Sequence, residues 1–432
     1  MSDPLSRANA ALESETPALW SLLSGLGRRA VFPPDIPFQA AQARGKAFNA
    51  TIGQITDGAG SALPLPSLAA GLGALAPADR NRALLYAPVE GIPELRERWR
   101  AWQRREVDAN LPSTLPVTTT GLTHGLALIA DLFADEGRAL AIPTPFWGNY
   151  RQTFVLRRGA RVVSAPAYRD GAWNPLAIEE ALAELPAGEP ALALLNLPSN
   201  PGGYTPTAAE REELIASLER VAAVRPLLVI CDDAYAGLVF ADVPRGSVFW
   251  DLIGRHPNLV PVKVDGATKE LSYFGGRVGF VTFGVAPDSA AAQALESKLK
   301  CLVRAVIGSP VSTSQVLALE ALRSATLADE VEAVRAELGR RAATLHRALS
   351  GVDRTLLQPL PFNSGCFALT ELPEELGLTG EQVRQHLLAE EDTGIVSLAP
   401  RYVRIAFCSV AEPKLAELVE RIERGIRTLS QR

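Results

Sequence analysis

An α/β fold is the class this sequence predicts: a mostly parallel sheet covered on both faces, joined to a second and smaller α+β unit. Three observations predict it. Between about residues 115 and 285, short apolar runs alternate with helical patterns, the signature of a wound sheet. After Pro310 that alternation gives way to a long stretch of Ala, Leu, Glu and Arg at helical spacing. The chain's 432 residues also exceed what one hydrophobic core encloses, so two domains are expected.

Taken in order, residues 1 to about 48 read as an arm. It holds an amphipathic helix around 17–30, broken by Phe32-Pro33-Pro34 and followed by a polar connector. Strands of the large sheet are expected at 139–142, 161–164, 191–195, 227–231, 260–264 and 278–283. A helical stretch follows over 312–350. The smaller unit then has apolar runs at 366–369, 395–398 and 402–407, and a last helix over 413–429. The N-terminal arm is expected to join this second unit. The expected division is 1–60 for the arm and part of the small domain, 61–310 for the large domain, and 311–432 for a long linking helix and the rest of the small domain.

Composition narrows the function. A net charge of −5 offers no basic footprint for nucleic acid or an anionic membrane. Cys231, Cys301, Cys366 and Cys408 lie far apart with no CxxC pair, which argues against a zinc site or a disulfide framework and fits a reducing cytoplasm. The start, Met-Ser-Asp-Pro-Leu-Ser-Arg, lacks the pattern of a signal peptide, and no stretch is long and apolar enough to span a bilayer.

In a sheet of this kind ligands bind beyond the carboxyl ends of the strands, so the residues after each apolar run carry the chemistry. Thr118-Thr119-Thr120-Gly121-Leu122-Thr123-His124-Gly125 lies between a strand and a helix, where free N–H groups favour a phosphate. Gly and Thr also serve there as turn and cap residues. Pro143-Thr144-Pro145-Phe146-Trp147-Gly148-Asn149-Tyr150 puts an aromatic plane, Trp147, after a strand, where it either stacks on a ring or packs in the core. Asn196-Leu197-Pro198-Ser199-Asn200-Pro201-Gly202-Gly203 is a tight turn around an amide. Val229-Ile230-Cys231-Asp232-Asp233-Ala234-Tyr235 ends a buried run on carboxylates, which demand a partner or a function. Gly266-Ala267-Thr268-Lys269 precedes a glycine-rich bend with Arg277 eight positions after the lysine. An amine there can condense with an aldehyde while the arginine fork holds a phosphate. Tyr402-Val403-Arg404-Ile405 buries an arginine in a short apolar strand.

In their order and spacing these segments resemble the class I, fold-type I aminotransferases that use pyridoxal 5'-phosphate, nearest to the aspartate and aromatic branch. The resemblance spans roughly residues 45 to 410. It implies that Lys269 is the Schiff-base and proton-shuttle residue, that Asp232 pairs with the ring nitrogen, and that Asn200 and Tyr235 bond the phenolic oxygen. Asp232 is preferred to Asp233 because Tyr235 follows it by three. Trp147 would stack on the ring, and Gly121, Leu122, Thr123, Thr268 and Arg277 would hold the phosphate. Tyr86 matches a tyrosine that reaches the neighbouring subunit's phosphate, so the resemblance implies a homodimer with shared sites. Arg404 would clamp the substrate α-carboxylate under the segment that contains Gly53. Gly266 departs from relatives that place a hydroxyl residue there, and Leu122 and His124 stand where small residues are common. His124 either touches the cofactor or caps a loop.

Arg304 resembles an arginine lent across the dimer to a distal carboxylate, and its bland alternative is a helix-surface charge. The resemblance thus implies a transaminase acting on an aspartate/glutamate or aromatic L-amino acid and a 2-oxo acid such as 2-oxoglutarate, in the cytoplasm, with no metal. The same scaffold supports C–S lyases and aminocyclopropanecarboxylate synthases. A transcription regulator with an aminotransferase-like domain is disfavoured, because the roughly 48 residues before Asn49 show no basic helix-turn-helix.

Overall fold

The six expected apolar runs become β2 (Ala139–Ala141), β3 (Arg161–Val163), β4 (Ala191–Asn196), β5 (Leu227–Asp232), β6 (Leu259–Gly266) and β7 (Gly279–Phe283) of a seven-stranded sheet in the computed structural model, and Val117–Thr119 adds β1. The structure describes residues 36–51, 53, 55–57, 63–105, 107, 110–398 and 400–431, with isolated positions 6, 9, 10, 13 and 14 before them. The helix expected around 17–30 lies outside the described residues.

The strand order is β1-β7-β6-β5-β4-β2-β3, with β7 antiparallel to both neighbours and the other pairings parallel. Burial on both faces explains why the runs are continuously apolar rather than alternating. Leu140, Leu192, Leu194, Ile230, Val262 and Val264 point into one core, while Ala139, Ala193, Val229 and Cys231 point into the other. Helix α2 (Leu122–Phe133) covers the first face and α3 (Ala208–Val224) the second. Near β7 a third core forms, where α1 (Pro93–Gln103) stacks Trp99 on Phe280 with ring centroids 4.6 Å apart.

Four elements follow β6 and β7 in the chain: the short α4 (Ala267–Glu270) directly after β6, then α5 (Ala290–Ile307), α6 (Ser312–Arg323) and α7 (Leu327–Ser350). The single helical stretch expected over 312–350 is therefore two helices, a correction with a local cause. At 324–326 no Pro or Gly marks the break. Instead Ser324 takes an extended ψ of 132°, and the Ser324 and Thr326 hydroxyls bond each other while the Thr326 hydroxyl donates to Glu330. Such side chains compete with the helix for its own backbone groups.

The second sheet has four antiparallel strands in the order β8-β9-β11-β10: β8 (Gln358–Pro359), β9 (Ala368–Glu371), β10 (Val396–Leu398) and β11 (Tyr402–Ile405). The run expected at 366–369 starts as a strand only at Ala368. The run at 402–407 stops at Ile405, since Ala406 donates its N–H to Ala50 and a 3-10 turn follows. Helix α8 (Gly380–Glu390) backs this sheet, and α9 (Leu415–Ser430) packs on α7 and α8. The early chain packs here too. Phe48–Asn49 pairs in parallel with Thr393–Gly394, and the Gln39 side chain bonds both backbone groups of Ser397.

Among the described residues no helix is long and apolar enough to cross a membrane, and no cluster of three or more metal-ligating side chains forms. None of the four cysteines takes part in a disulfide.

Candidate active site

Strands β4, β5 and β6 end side by side, and what each carries at its last residues sets the site. Asp232 closes β5 and is 2% exposed. A carboxylate there needs donors, and it has two: Oδ2 accepts the Tyr150 hydroxyl at 2.7 Å and Oδ1 accepts the Ala234 N–H at 3.1 Å. Burial pushes its pKa up, against the Tyr150 hydrogen bond and the Lys269 charge that pull it down. In register beside it, Asn196 ends β4. Its amide donates to the Asp232 carbonyl at 2.8 Å and its Oδ1 accepts the Asn200 N–H at 2.7 Å, so the strand end holds the following turn.

Lys269 follows β6 within α4, its Nζ 5.1 Å from the centre of the Tyr235 ring. Burial draws the pKa of its amine down, Asp232 draws it up, and the nearby Arg277 charge lowers it. Asp233, by contrast, lies outside the cavity. Its carboxyl is pushed up to about 8 by burial, with Lys263 opposing the shift.

Close backbone approach brings the other elements in. Gly121, with φ of 82°, precedes α2, and a Cβ on it would lie 2.6 Å from Nη2 of Arg277. Arg277 itself takes the left-handed conformation, φ 54°, and donates from Nη1 to the Phe274 carbonyl. A Cβ on Gly279 would sit 2.6 Å from the carbonyl carbon of Gly121, so a side chain there would drive β7 and the start of α2 apart. The Gly266 departure has the same origin, because a Cβ would overlap the Val278 carbonyl of the neighbouring segment. The hydroxyl seen in relatives has no room.

Arg404, in β11, is 1% exposed and spans the two sheets. Its Nη1 donates to Asn200 Oδ1 at 2.9 Å, its Nη2 donates to the Thr51 carbonyl at 2.6 Å, and its guanidinium lies 4.2 Å from the centre of the Phe367 ring. Gly53 is where it is because a Cβ would overlap that ring. With Asn200 Oδ1 occupied, the Asn200 amide is the end left to donate.

One cavity of about 260 Å³ is therefore lined by Gly53, Leu122, Thr123, Trp147, Asn200, Asp232, Tyr235, Thr268, Lys269, Arg277 and Arg404. Gly121 abuts it through Arg277. Two expected residues lie elsewhere: Tyr86 is 97% exposed beside Leu84 and Leu85, and Arg304 is exposed in the last turn of α5. Sequence reasoning missed Tyr150, which meets Trp147 edge-on at 5.4 Å. A buried tyrosine hydroxyl needs a partner, and an unmatched aspartate was available 82 positions on.

These groups fit a phosphorylated aldehyde. The N-terminal amides of α2 lack intrahelical partners, the Thr268 hydroxyl is buried without one, and Arg277 stands beside both, which together suits a phosphate. A lysine amine and a buried carboxylate face the same space, as the aldehyde and ring nitrogen of such a group require. The fold and site thus define an enzyme that works through a carbonyl cofactor anchored by its phosphate.

The sequence model for aminotransferase class I and II matches residues 47–422, and the chain belongs to that family. It is a pyridoxal-phosphate-dependent transaminase. Aspartate aminotransferase of Pyrococcus abyssi is 26% identical over 350 residues, covering 79% of this chain and 84% of that one. Among solved structures, an aminotransferase from Anaerococcus prevotii superposes with a TM-score of 0.77 at 22% identity, covering 93% of this chain and 98% of that one. LysN, the α-aminoadipate aminotransferase of Thermus thermophilus in complex with N-(5'-phosphopyridoxyl)-L-leucine, does so at 0.73 and 23%, covering 95% and 98%.

Proposed function

We propose that the chain transfers the amino group of an L-amino acid of the aspartate/glutamate or aromatic type to a 2-oxo acid such as 2-oxoglutarate, with Lys269 as Schiff-base and proton-shuttle residue. The observation that carries this reading is one cavity in which the Lys269 amine, the Asp232 carboxylate and the Arg404–Asn200 pair face the same space. Bound pyridoxal phosphate supplies the electron sink that makes the α-hydrogen of an attached amino acid acidic.

The protein's part is positioning and proton transfer. Burial lowers the Lys269 pKa, so more of the amine is unprotonated and able to attack a carbonyl, then to take a proton at Nζ and return it. Asp232, held by Tyr150 and the Ala234 N–H, keeps a proton on the ring nitrogen. Trp147 covers the ring face, and Asn200 and Tyr235 serve the phenolic oxygen. Gly121, Leu122, Thr123, Thr268 and Arg277 hold the phosphate. Arg404 receives the α-carboxylate as a two-pronged donor, with the Gly53 segment over it.

Among the described residues Lys269, Arg277 and Arg404 are the cations lining the cavity, and each already has a task. A distal carboxylate therefore calls for a further cation, and Arg304 of a second copy is the candidate. Two apolar exposures support a homodimer: Leu84, Leu85 and Tyr86 stand out at 60–97% exposed, and Val306, Ile307 and Val311 flank Arg304 at 36–58%. The segments adjoin, since the Ser312 hydroxyl donates to the Leu85 carbonyl. In such a dimer Tyr86 would reach the neighbouring phosphate. Aspartate and α-aminoadipate, named for two of the relatives, both carry a second carboxylate. The wide spacing of the four cysteines, with no CxxC pair, supports a reducing, cytoplasmic setting. We divide the chain into an arm and small-domain part over 1–60, a large cofactor-binding domain over 61–310, and the remainder over 311–432; the packing of Gln39, Phe48 and Asn49 on the small unit supports the first of these.

Borohydride reduction of the purified holoenzyme should fix the cofactor on Lys269, located by peptide mass, and a donor panel should bleach the same absorption band. No adduct at Lys269 would overturn the lysine's role. Arg304→Leu should raise KM for aspartate and glutamate while sparing aromatic donors, and KM values unchanged from wild type for every donor would remove Arg304 from substrate recognition.

A further inference from the structure

His124 is the third residue of α2, inside the turn that faces Arg277, and no step above uses it. Its Nδ1 accepts the N–H of Thr120 at 3.1 Å, reaching back past the helix start. Gly121, the residue between Thr120 and α2, has no side chain to cap the helix and turns through φ 82° next to the Arg277 guanidinium. Thr120 cannot rotate its N–H away without changing that turn. The other imidazole nitrogen, Nε2, is buried with no hydrogen-bond partner among the described residues, as is the Thr120 hydroxyl.

We propose that His124 is a positioning residue for the phosphate cradle: its neutral imidazole, protonated at Nε2 only, clamps the Thr120 N–H and thereby sets the Thr120-Gly121-Leu122 backbone against Arg277. This rests on the phosphate site proposed above. The logic is that of a capping box, in which a side chain at the third helical position reaches back to satisfy a free N–H, with imidazole in place of the usual Glu or Gln. It differs in two respects: the bond goes to Thr120, one residue before the N-cap Gly121, and the acceptor can titrate. An imidazole accepts at Nδ1 only while that nitrogen carries no proton, so an imidazolium would present N–H to N–H. Burial disfavours the charged ring. Of the charged groups that act on it, Arg157 disfavours it further and Asp131 favours it, and those two are themselves paired at 3.0 Å.

The test uses three forms of the full chain: wild type, His124→Leu, and His124→Asn, whose Oδ1 can stand where Nδ1 stands but does not titrate. Pyridoxal 5'-phosphate is titrated into each apoprotein by fluorescence at pH 8 and at pH 6, and the imidazole tautomers of the wild type are read by 15N NMR, which has only four histidines to resolve. At pH 8 the Leu form should bind roughly tenfold more weakly, the equivalent of one lost buried hydrogen bond, and the Asn form within about twofold of wild type. Burial holds the ring in its neutral form, so between pH 8 and pH 6 the wild type should track the Asn form. His124 should carry its proton on Nε2. If the Leu form does not fold, the Asn form and the tautomer still decide. A proton on Nδ1, an Asn form that binds roughly tenfold more weakly than wild type at pH 8, or wild-type binding that strengthens relative to Asn at pH 6 would overturn the proposal. A wild type that binds no cofactor would instead overturn the phosphate site itself.

Discussion

Tyr150→Phe isolates one hydrogen bond at the base of the site. Phenylalanine keeps the ring and its edge-on contact with Trp147 but deletes the hydroxyl that Asp232 Oδ2 accepts at 2.7 Å. That bond favours the ionised carboxylate, so its loss raises the Asp232 pKa beyond the upward push of burial. A hydrogen bond to a charged group contributes about 1.5–3 kcal/mol net, and that is the stabilisation the ionised carboxylate loses. In the proposed function only the ionised carboxylate would hold a proton on the ring nitrogen of the bound cofactor. The acid limb of the kcat profile should therefore move to higher pH, and cofactor affinity at fixed pH should fall by up to roughly ten- to a hundredfold. The assays are a pH–rate profile with a saturating donor and a fluorescence titration of the apoprotein. An acid limb and a dissociation constant both equal to wild type would refute the role given to Tyr150.

Gly266→Ser restores the hydroxyl of relatives at the cost of a Cβ that overlaps the Val278 carbonyl, and overpacking of this kind costs about 1–3 kcal/mol. A thermal melt should show a lower Tm, and an unchanged Tm with tighter cofactor binding would show that room exists. Asp233→Asn tests the buried acid beside Asp232. Its folded pKa of about 8 lies above the ordinary value of 3.8, so its contribution to stability is fully present below pH 3.8 and is lost as pH rises through 8. The urea midpoint of the Asn form should fall less than that of wild type over this range, and parallel profiles would contradict the assignment.

Much of the architecture was legible because a strand buried on both faces must be apolar throughout, and the runs at 191–195 and 227–231 say so without any neighbour in view. Boundaries that depend on other elements were not. Nothing local ends the strand at Ile405, since what ends it is the Ala50 carbonyl taking the Ala406 N–H. The break at 324–326 rests on hydroxyls bonding each other and Glu330, which spacing alone does not reveal.

The residues with distinctive chemistry follow the same division. Lys269, Asp232, Arg277 and Arg404 were visible because an amine before a glycine-rich bend, or a charge inside an apolar run, is conspicuous in one dimension. Their order along the chain was enough for the sequence to determine the enzyme class. Tertiary structure alone decided how they are held: that Asp232 is met by a tyrosine 82 positions earlier, that Arg404 is shared between Asn200 and Thr51, and that Gly266 has no room for a side chain. It also separated Tyr86 and Arg304 from the chain's own cavity. The physical reason is common to all of these. Hydrogen bonds and steric overlap are properties of pairs, and the partners here are brought together by the packing of the two sheets rather than by proximity in the chain.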